Sequence, residues 1–249
     1  MLTSIRSLLA ATSFATIALT ATPAAAQDVP GPVEVSVNAA VVSDYRFRGV
    51  SLSGGDVAVQ GGLDVAHESG FYVGTWASSI DGGAVYGDVE LDLYAGFGTD
   101  IGPGVSLDVG VLYYAYPDGD VGQADYWEPY ASITGAVGPV ETTLGVAYAP
   151  KQESLGDDDN LYVYLDGGIG IPSTPVTITG HIGYTDGALA PDFLAGGLDD
   201  SGFDYSIGAA VALPLGFEAG VAYVATDGAD IDGFTDDTVV GSLGWSYTF

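Results

Sequence analysis

The sequence contains no cysteine, so disulfide bonds cannot hold its fold. Cations are scarce as well: Lys and Arg total 4 against 33 Asp and Glu, which gives a formal net charge of -29. This charge argues against nucleic acid and anionic surfaces as partners, because both would be repelled. After the N-terminal segment, no apolar run reaches the roughly 18 residues that a membrane-spanning helix needs. The sequence therefore predicts no such helix.

The N-terminal segment is typical of a secretory signal peptide. Arg6 supplies a positive start, residues 8–19 are apolar, and Ala24-Ala25-Ala26 offers an A-x-A cleavage site. A transmembrane anchor is the other interpretation, but the apolar run is short and ends at Pro23. We therefore expect a signal peptide at residues 1–26 and one domain at residues 27–249.

Apolar residues make up 47% of the chain, which is high for so acidic a protein, and Gly (38) and Tyr (16) are abundant. An exported chain without disulfides must be held by a large closed structure or by its surroundings. The glycines are interleaved with Val, Leu, Ile and Tyr at alternate positions, a pattern that disordered chains avoid. This composition favours strands with one face in lipid and the other in water.

Alternation is readable along the domain, except that residues 71–80 form a strand whose two faces are both mixed. In one strand Val89, Leu91 and Leu93 oppose Glu90 and Asp92, and about twelve such strands of roughly ten residues follow one another. Connections after even-numbered strands are short, as at 138–139. Those after odd-numbered strands are mostly long and acidic, as at 151–159, 185–202 and 227–237. We predict an all-β fold, a single antiparallel transmembrane β-barrel of about 12 strands in the lipid of the bacterial outer membrane, with both termini periplasmic.

Aromatic residues support this interpretation at the strand ends. The outward-facing aromatic residues near the strand ends are expected to form two girdles at the level of the lipid headgroups. They are Phe71, Phe97, Phe203, Phe217, Tyr148, Tyr184 and Trp245. The chain ends on Trp245, Tyr247 and Phe249 at alternating positions. We expect this final strand to be the signal by which the barrel assembly machinery recognises the protein.

One stretch, Ser43 to Gly49, holds two of the three cations that follow the signal peptide. Continued in phase from the first strand, it directs Arg46 and Arg48 into the lumen and Tyr45 and Phe47 toward lipid. We expect it to form the outer half of that strand, in a hairpin with residues 57–65. The arginines would then either form a constriction or act as paired braces of the wall, since both uses suit an arginine among carboxylates.

The predicted inner face is acidic. Its candidate lumen and constriction residues are Arg46, Arg48, Asp44, Asp64, Glu90, Asp92, Asp108, Glu128, Glu141, Asp166, Asp204 and Glu218. A narrow passage lined by one sign of charge concentrates the opposite ion, which predicts passage of cations or neutral polar solutes. The alternative is a lumen that is closed, with these carboxylates solvated or paired. About twelve strands should leave a narrow lumen, and inward tyrosines would narrow it further.

Three stretches carry a resemblance to a known family. They are Ser43-Asp44-Tyr45-Arg46-Phe47-Arg48-Gly49-Val50-Ser51, Val59-Gln60-Gly61-Gly62-Leu63-Asp64, and Ser69-Gly70-Phe71-Tyr72-Val73-Gly74-Thr75-Trp76-Ala77-Ser78. The segment from Asn38 to Ile80 resembles the TorF family of proteobacterial outer-membrane porins. The resemblance implies an outer-membrane barrel with porin activity and brings no catalytic residue with it.

Other chemistry is poorly supported by the sequence. An outer-membrane phospholipase needs its histidine at the lipid-facing surface, whereas His181 falls inward by phase and His67 lies in a turn. The segment Asp230-Ile231-Asp232-Gly233 lacks the first Asp of a calcium loop, because Gly228 stands there. We expect no enzyme activity, no cofactor and no dedicated metal site, and leave open weak divalent-cation binding at the acidic loops. The prediction is a porin-like channel for passive diffusion of small solutes, and the alternative is a closed structural or adhesive barrel.

Overall fold

A computed structural model of the chain describes residues 32–249. The predicted signal peptide, residues 1–26, lies outside the described residues. Within the part of the chain that is described, no helix is long and apolar enough to cross a membrane.

The domain is one closed antiparallel barrel of twelve strands. Its strands are β1 (Val33–Val42), β4 (Ala58–His67), β5 (Phe71–Ser79), β6 (Val89–Gly102), β7 (Val105–Ala115), β8 (Tyr126–Val137), β9 (Val140–Gln152), β10 (Asp158–Gly170), β11 (Val176–Gly187), β12 (Ser201–Ala212), β13 (Phe217–Thr226) and β14 (Thr238–Thr248). The strands β2 (Arg46–Phe47) and β3 (Val50–Ser51) form a separate small hairpin, and α1 (Gly83–Tyr86) and α2 (Pro191–Leu194) are single helical turns.

The barrel closes because β1 pairs with β14 on one side and with β4 on the other. Every other barrel strand pairs with its neighbours in sequence. A closed sheet leaves no unpaired edge, so the backbone hydrogen-bonding groups of its strands are satisfied within the sheet. The predicted fold class and strand number are confirmed.

The connections sort by length between the two ends of the barrel. At one end, here called the turn end, they are as short as Pro103–Gly104 and Gly138–Pro139. At the other, the loop end, they include 116–125, 188–200 and 227–237. The predicted sorting is confirmed, except that the loop expected at 151–159 is only 153–157. There β9 and β10 extend into the acidic segment, where Asp158 pairs in register with Gln152.

The outer face of the barrel is apolar. Strand β12 exposes Phe203, Tyr205 and Ile207 to the outside while Asp204 and Ala210 are buried on the inside, as period-2 alternation requires. Outer aromatics meet across strands near the ends, with ring centroids 5.0 Å apart for Phe71–Phe97 and 4.9 Å apart for Tyr184–Phe203. The alternation predicted from the sequence therefore describes the wall correctly.

The prediction for residues 43–49 is wrong. Strand β1 ends at Val42, and residues 43–57, here called the inner segment, leave the wall and fold into the lumen at the loop end. Tyr45 and Phe47 do not face lipid, because their exposed fractions are only 2% and 7%. Arg46 and Arg48 belong to the inner segment rather than to the wall, and β4 pairs directly with β1.

Candidate functional site in the barrel lumen

The inner segment is packed into the loop half of the barrel by its aromatic side chains. Phe47 lies in one apolar cluster with Leu112, Tyr114 and Leu189. Tyr45 lies in another with wall residues such as Val224. Gly49 has φ +81°, and a Cβ there would overlap the side chain of Thr226. Only glycine allows the turn of the inner segment to approach the wall so closely.

Arg46 joins the inner segment to itself and to the 227–237 loop. Its Nε donates to Asp44 over 2.5 Å, and Ser51 donates to the same carboxylate. The guanidinium also donates to the carbonyl of Phe234 (3.2 Å) and to the carbonyl and Oδ1 of Asp236 (both 2.9 Å). Because Arg46 is 1% exposed, these contacts take place away from solvent.

Arg48 reaches across the lumen to the opposite wall. Its Nη2 donates to both carboxylate oxygens of Glu128, over 2.8 and 2.7 Å. The guanidinium carbon lies 4.1 Å from the ring centroid of Tyr162 and 4.7 Å from that of Phe47. Burial lowers the pKa of Arg48, but the charge and hydrogen bonding of Glu128, together with Tyr114 and Tyr126, outweigh burial and raise it, so the guanidinium stays charged.

Glu90 and Asp92 lie side by side on the inner face of β6, with exposed fractions of 1% and 0%. Glu90 accepts from the hydroxyls of Tyr45 (2.7 Å) and Tyr116 (3.0 Å), neither of which belongs to a barrel strand. Burial and the charge of Glu90 raise the pKa of both phenols well above their ordinary value, so both stay protonated and donate. Among residues 32–249, neither oxygen of Asp92 has a hydrogen-bond partner.

The inward tyrosines lie along the wall over glycines of the neighbouring strand. Tyr94 is opposite Gly74 and Tyr72 is opposite Gly96 in register, and a Cβ at either glycine would overlap the facing ring. The pairs Tyr130–Gly110 and Tyr164–Gly145 repeat the arrangement. The glycines thus provide the space that lets each ring lie flat.

These tyrosines also hydrogen-bond to two of the predicted lumen carboxylates. Tyr72 donates to Asp108 over 2.8 Å, and Tyr94 donates to Asp64. Tyr130 lies 2.5 Å from the Tyr72 hydroxyl and extends the network to β8. The wall of the turn half is therefore lined by phenols and carboxylates.

Two further carboxylates, those of Asp166 and Asp204, flank the imidazole of His181. The Nδ1 of His181 lies 2.5 Å from Asp166 and its Nε2 lies 2.9 Å from Asp204, so a ring protonated on both nitrogens donates to both carboxylates. The Tyr162 hydroxyl lies 3.2 Å from Asp204 and joins this group to the Arg48 surroundings.

The two halves of the lumen differ in access. In the turn half, Asp64, Asp166 and His181 are partly exposed, and Glu141 is exposed at the rim. In the loop half, the side chains of Glu90, Glu128 and residues 44–51 of the inner segment are almost completely covered. The lumen is thus open at the turn end and filled at the loop end. Glu218, at the turn end of β13, is 8% exposed.

The structure gathers the predicted lumen residues into groups that the sequence did not show. It also adds Asp236, Tyr116 and Tyr72, which the sequence analysis did not single out. Asp236 lies in a long loop with no pattern, and no local signal links it to Arg46. Tyr72 lies on the inner face of β5, but both faces of that strand mix polar and apolar residues, so the sequence did not show which face points inward. Within residues 32–249, no three His, Asp or Glu side chains are grouped to hold a metal ion.

A family model described as "Bacterial protein of unknown function (Gcw_chp)" matches residues 26–246. The chain belongs to this family. A comparison with curated protein sequences finds no match.

Solved structures with this architecture include porins. The NanC porin is 11% identical, with a TM-score of 0.57, covering 86% of this chain and 98% of its own. The KdgM porin is 9% identical, with a TM-score of 0.55, covering 87% of this chain and 99% of its own. An outer-membrane channel from Pseudomonas putida F1 is 12% identical, with a TM-score of 0.51, covering 91% and 99%. At these identities the likeness concerns the fold of this Gcw_chp member.

Proposed function

We propose that this Gcw_chp protein is a narrow outer-membrane channel for passive diffusion of small cations or neutral polar solutes. The observation that carries the proposal is the contrast between the two faces of one closed wall. The outer face is apolar, with exposed residues such as Leu144, Val163 and Ile207, whereas the inner face carries carboxylates in every part of the lumen. A wall of this kind requires lipid outside and water inside.

The charge balance of the lumen supports cation preference. Arg46 and Arg48 are each held by carboxylates, so neither is left to attract anions. Asp64 and Asp166 remain partly exposed in the open half, where Asp64 accepts from Tyr94 and Asp166 lies against His181. A low-dielectric passage lined in this way raises the local concentration of cations.

Orientation and assembly belong to the same proposal. The described chain begins and ends at the turn end, which suits a periplasmic turn end with the long loops outside. Trp245 and Tyr247 lie on the final strand and Phe249 directly follows it, with ring centroids 6.3 Å apart for the first pair and 5.0 Å apart for the second. We assign this strand the role of assembly signal.

The TorF resemblance and the absence of enzyme activity remain predictions.

A specific observation favours the second candidate, a closed structural barrel. The inner segment fills the loop half, and side chains there reach exposed fractions of 0–5%, as for Ala58, Val50 and Arg48. For a channel, the inner segment must therefore be the constriction or must move.

Planar-bilayer recording in a KCl gradient tests the proposal. We expect the wild type to show a small single-channel conductance and a reversal potential whose sign indicates a preference for cations. The conductance should increase when residues 44–56 are replaced by a short Gly/Ser linker. Anion preference would contradict the lumen electrostatics. A folded link variant that conducts nothing would decide for the closed barrel.

A further inference from the structure

The guanidinium of Arg48 lies in a pocket that is made by the barrel wall. Glu128 on β8 accepts both hydrogen bonds, Tyr114 on β7 donates to Glu128 over 3.2 Å, and Tyr162 on β10 offers its ring face. We infer that this Arg48 pocket is a binding site for guanidinium-bearing solutes, which the chain's own Arg48 occupies in this structure. The inference rests on the proposed channel function, because such solutes would reach the pocket through the lumen.

The chemistry of the pocket is specific for a planar cation. A carboxylate accepts from a guanidinium in its plane, and an aromatic ring stacks on its face. A compact ammonium ion would use the carboxylate but would gain less from the ring. All three pocket residues belong to strands, so the barrel wall alone holds them in place.

Arg48 itself fits the pocket incompletely. Both hydrogen bonds to Glu128 come from one nitrogen, and within the described chain Nη1 has no hydrogen-bond partner. The backbone of Arg48 has φ +49°, in the left-handed region that non-glycine residues rarely adopt. A free guanidinium has no such tether and can present two nitrogens in parallel to the two oxygens of Glu128. A solute can therefore compete with Arg48.

Asp92 gives an independent reason to expect a ligand beside this pocket. It is fully buried, both of its oxygens lack partners among residues 32–249, and it lies opposite Tyr114 in the β6–β7 register. Tyr114 in turn lies opposite Tyr126 and stacks on it, with centroids 4.3 Å apart. The wall beside the pocket thus holds a carboxyl group that nothing among the described residues pairs with. A second hydrogen-bonding group on the same solute would find a partner there.

The test uses the full chain with Arg48→Ala, which empties the pocket, and methylguanidinium as the probe. The readout is the folded fraction after refolding into detergent, measured as the folded band on an unheated gel. Even a variant that folds poorly without the probe can therefore show an increase in its folded fraction. We expect millimolar methylguanidinium to raise the folded fraction of Arg48→Ala about twofold or more, because a ligand of the native state stabilises it. Methylurea, its neutral analogue, should have no effect.

Two controls separate the pocket from general effects. Lys151→Ala removes the same charge from an exposed ion pair and should show no response to methylguanidinium. Arg48→Ala combined with Glu128→Gln should lose the response. No response of Arg48→Ala, an equal response to methylurea, or an undiminished response without Glu128 would each overturn the inference.

Bilayer recording of the wild type separates the pocket from the channel. Competition with Arg48 predicts that methylguanidinium chloride raises the conductance above that in an equal concentration of methylammonium chloride, which adds the same charge without a guanidinium. Rescue of Arg48→Ala with no conductance in any variant would retain the pocket and reject the channel. Conductance without rescue would retain the channel and reject the pocket.

Discussion

Arg48 and Glu128 are 80 positions apart in the chain, yet Nη2 of one lies 2.8 and 2.7 Å from the two carboxylate oxygens of the other. This ion pair joins the tip of the inner segment to strand β8 on the far side of the lumen. Both side chains are almost completely buried. The pair therefore fixes where the inner segment lies.

Removing the charge of Glu128 should destabilise the barrel. With Glu128→Gln, the buried guanidinium of Arg48 loses its counter-charge, and breaking such a pair costs about 3–5 kcal/mol. Urea unfolding in detergent measures the change. Glu141→Gln is the matched control, because that carboxylate is exposed at the turn end and should change the free energy of unfolding by less than about 0.5 kcal/mol. Equal effects of the two variants would contradict the role of the ion pair.

Arg46 should act on the 227–237 loop rather than on permeation. Arg46→Ala removes the contacts that hold the carbonyls of Phe234 and Asp236, so residues 227–237 should become a site of rapid proteolysis. Mass spectrometry of the cleavage products locates the cut. Lys151→Ala, which loses an exposed pair, should leave the cleavage pattern unchanged. A changed ion selectivity with an intact loop would instead assign Arg46 to the constriction.

The partly exposed carboxylates of the turn half should set ion selectivity. Replacing Asp64 and Asp166 by Asn should lower the cation-to-anion permeability ratio about twofold or more, since the field of the lumen weakens. Reversal potentials in a KCl gradient measure this ratio. Asp199 and Asp200, exposed in the 188–200 loop, give the control pair when replaced by Asn. An equal shift from the control pair would place selectivity at the loop end.

The tyrosine–glycine pairs should be sensitive to one added methyl group. Gly74→Ala forces the Cβ into the ring of Tyr94, and such overpacking costs about 1–3 kcal/mol. Gly168→Ala is the matched control, because open space surrounds the added Cβ on the inner face of β10. Thermal unfolding in detergent compares the two. Equal melting temperatures would show that the Tyr94 ring moves away at little cost.

The last residue should matter for assembly more than for stability. Phe249→Ala should lower the amount of folded protein in the outer membrane while leaving refolding in detergent unchanged, if the terminal aromatic is read by the assembly machinery. Phe71→Ala removes an outer aromatic of similar exposure (64% against 60%) and controls for lost apolar area. Parallel losses from both variants in the membrane would remove the case for a terminal signal.

Much of the wall could be predicted because its signal is local. Side chains in a strand alternate with period 2, so Leu91 and Leu93 on one side and Glu90 and Asp92 on the other identify both faces without any knowledge of neighbours. The short turns at 103–104 and 138–139 were likewise visible as glycine and proline between alternating runs. The prediction failed where alternation continues in the sequence but the strand does not.

That failure is confined to the inner segment. Tyr45 and Phe47 keep the phase of β1, and nothing local distinguishes an aromatic that faces lipid from one that packs inside a lumen. The departure from the wall depends on partners far away in sequence: Glu128 for Arg48, Asp236 for Arg46 and Glu90 for Tyr45. These contacts exist only after the barrel has closed.

The sequence by itself determined a closed barrel of about twelve strands with an apolar outside, an acidic inside and connections sorted by length, because each of these follows from period-2 patterning and turn composition. Only the tertiary structure decided that residues 44–53 fill the loop half, that the turn half stays open, and that Arg48 meets Glu128. The physical reason is that the lumen is a space shared by all strands. The residues that fill the lumen are determined by which side chains, distant in sequence, can pair across it. The local alternation of apolar and polar residues does not show this pairing.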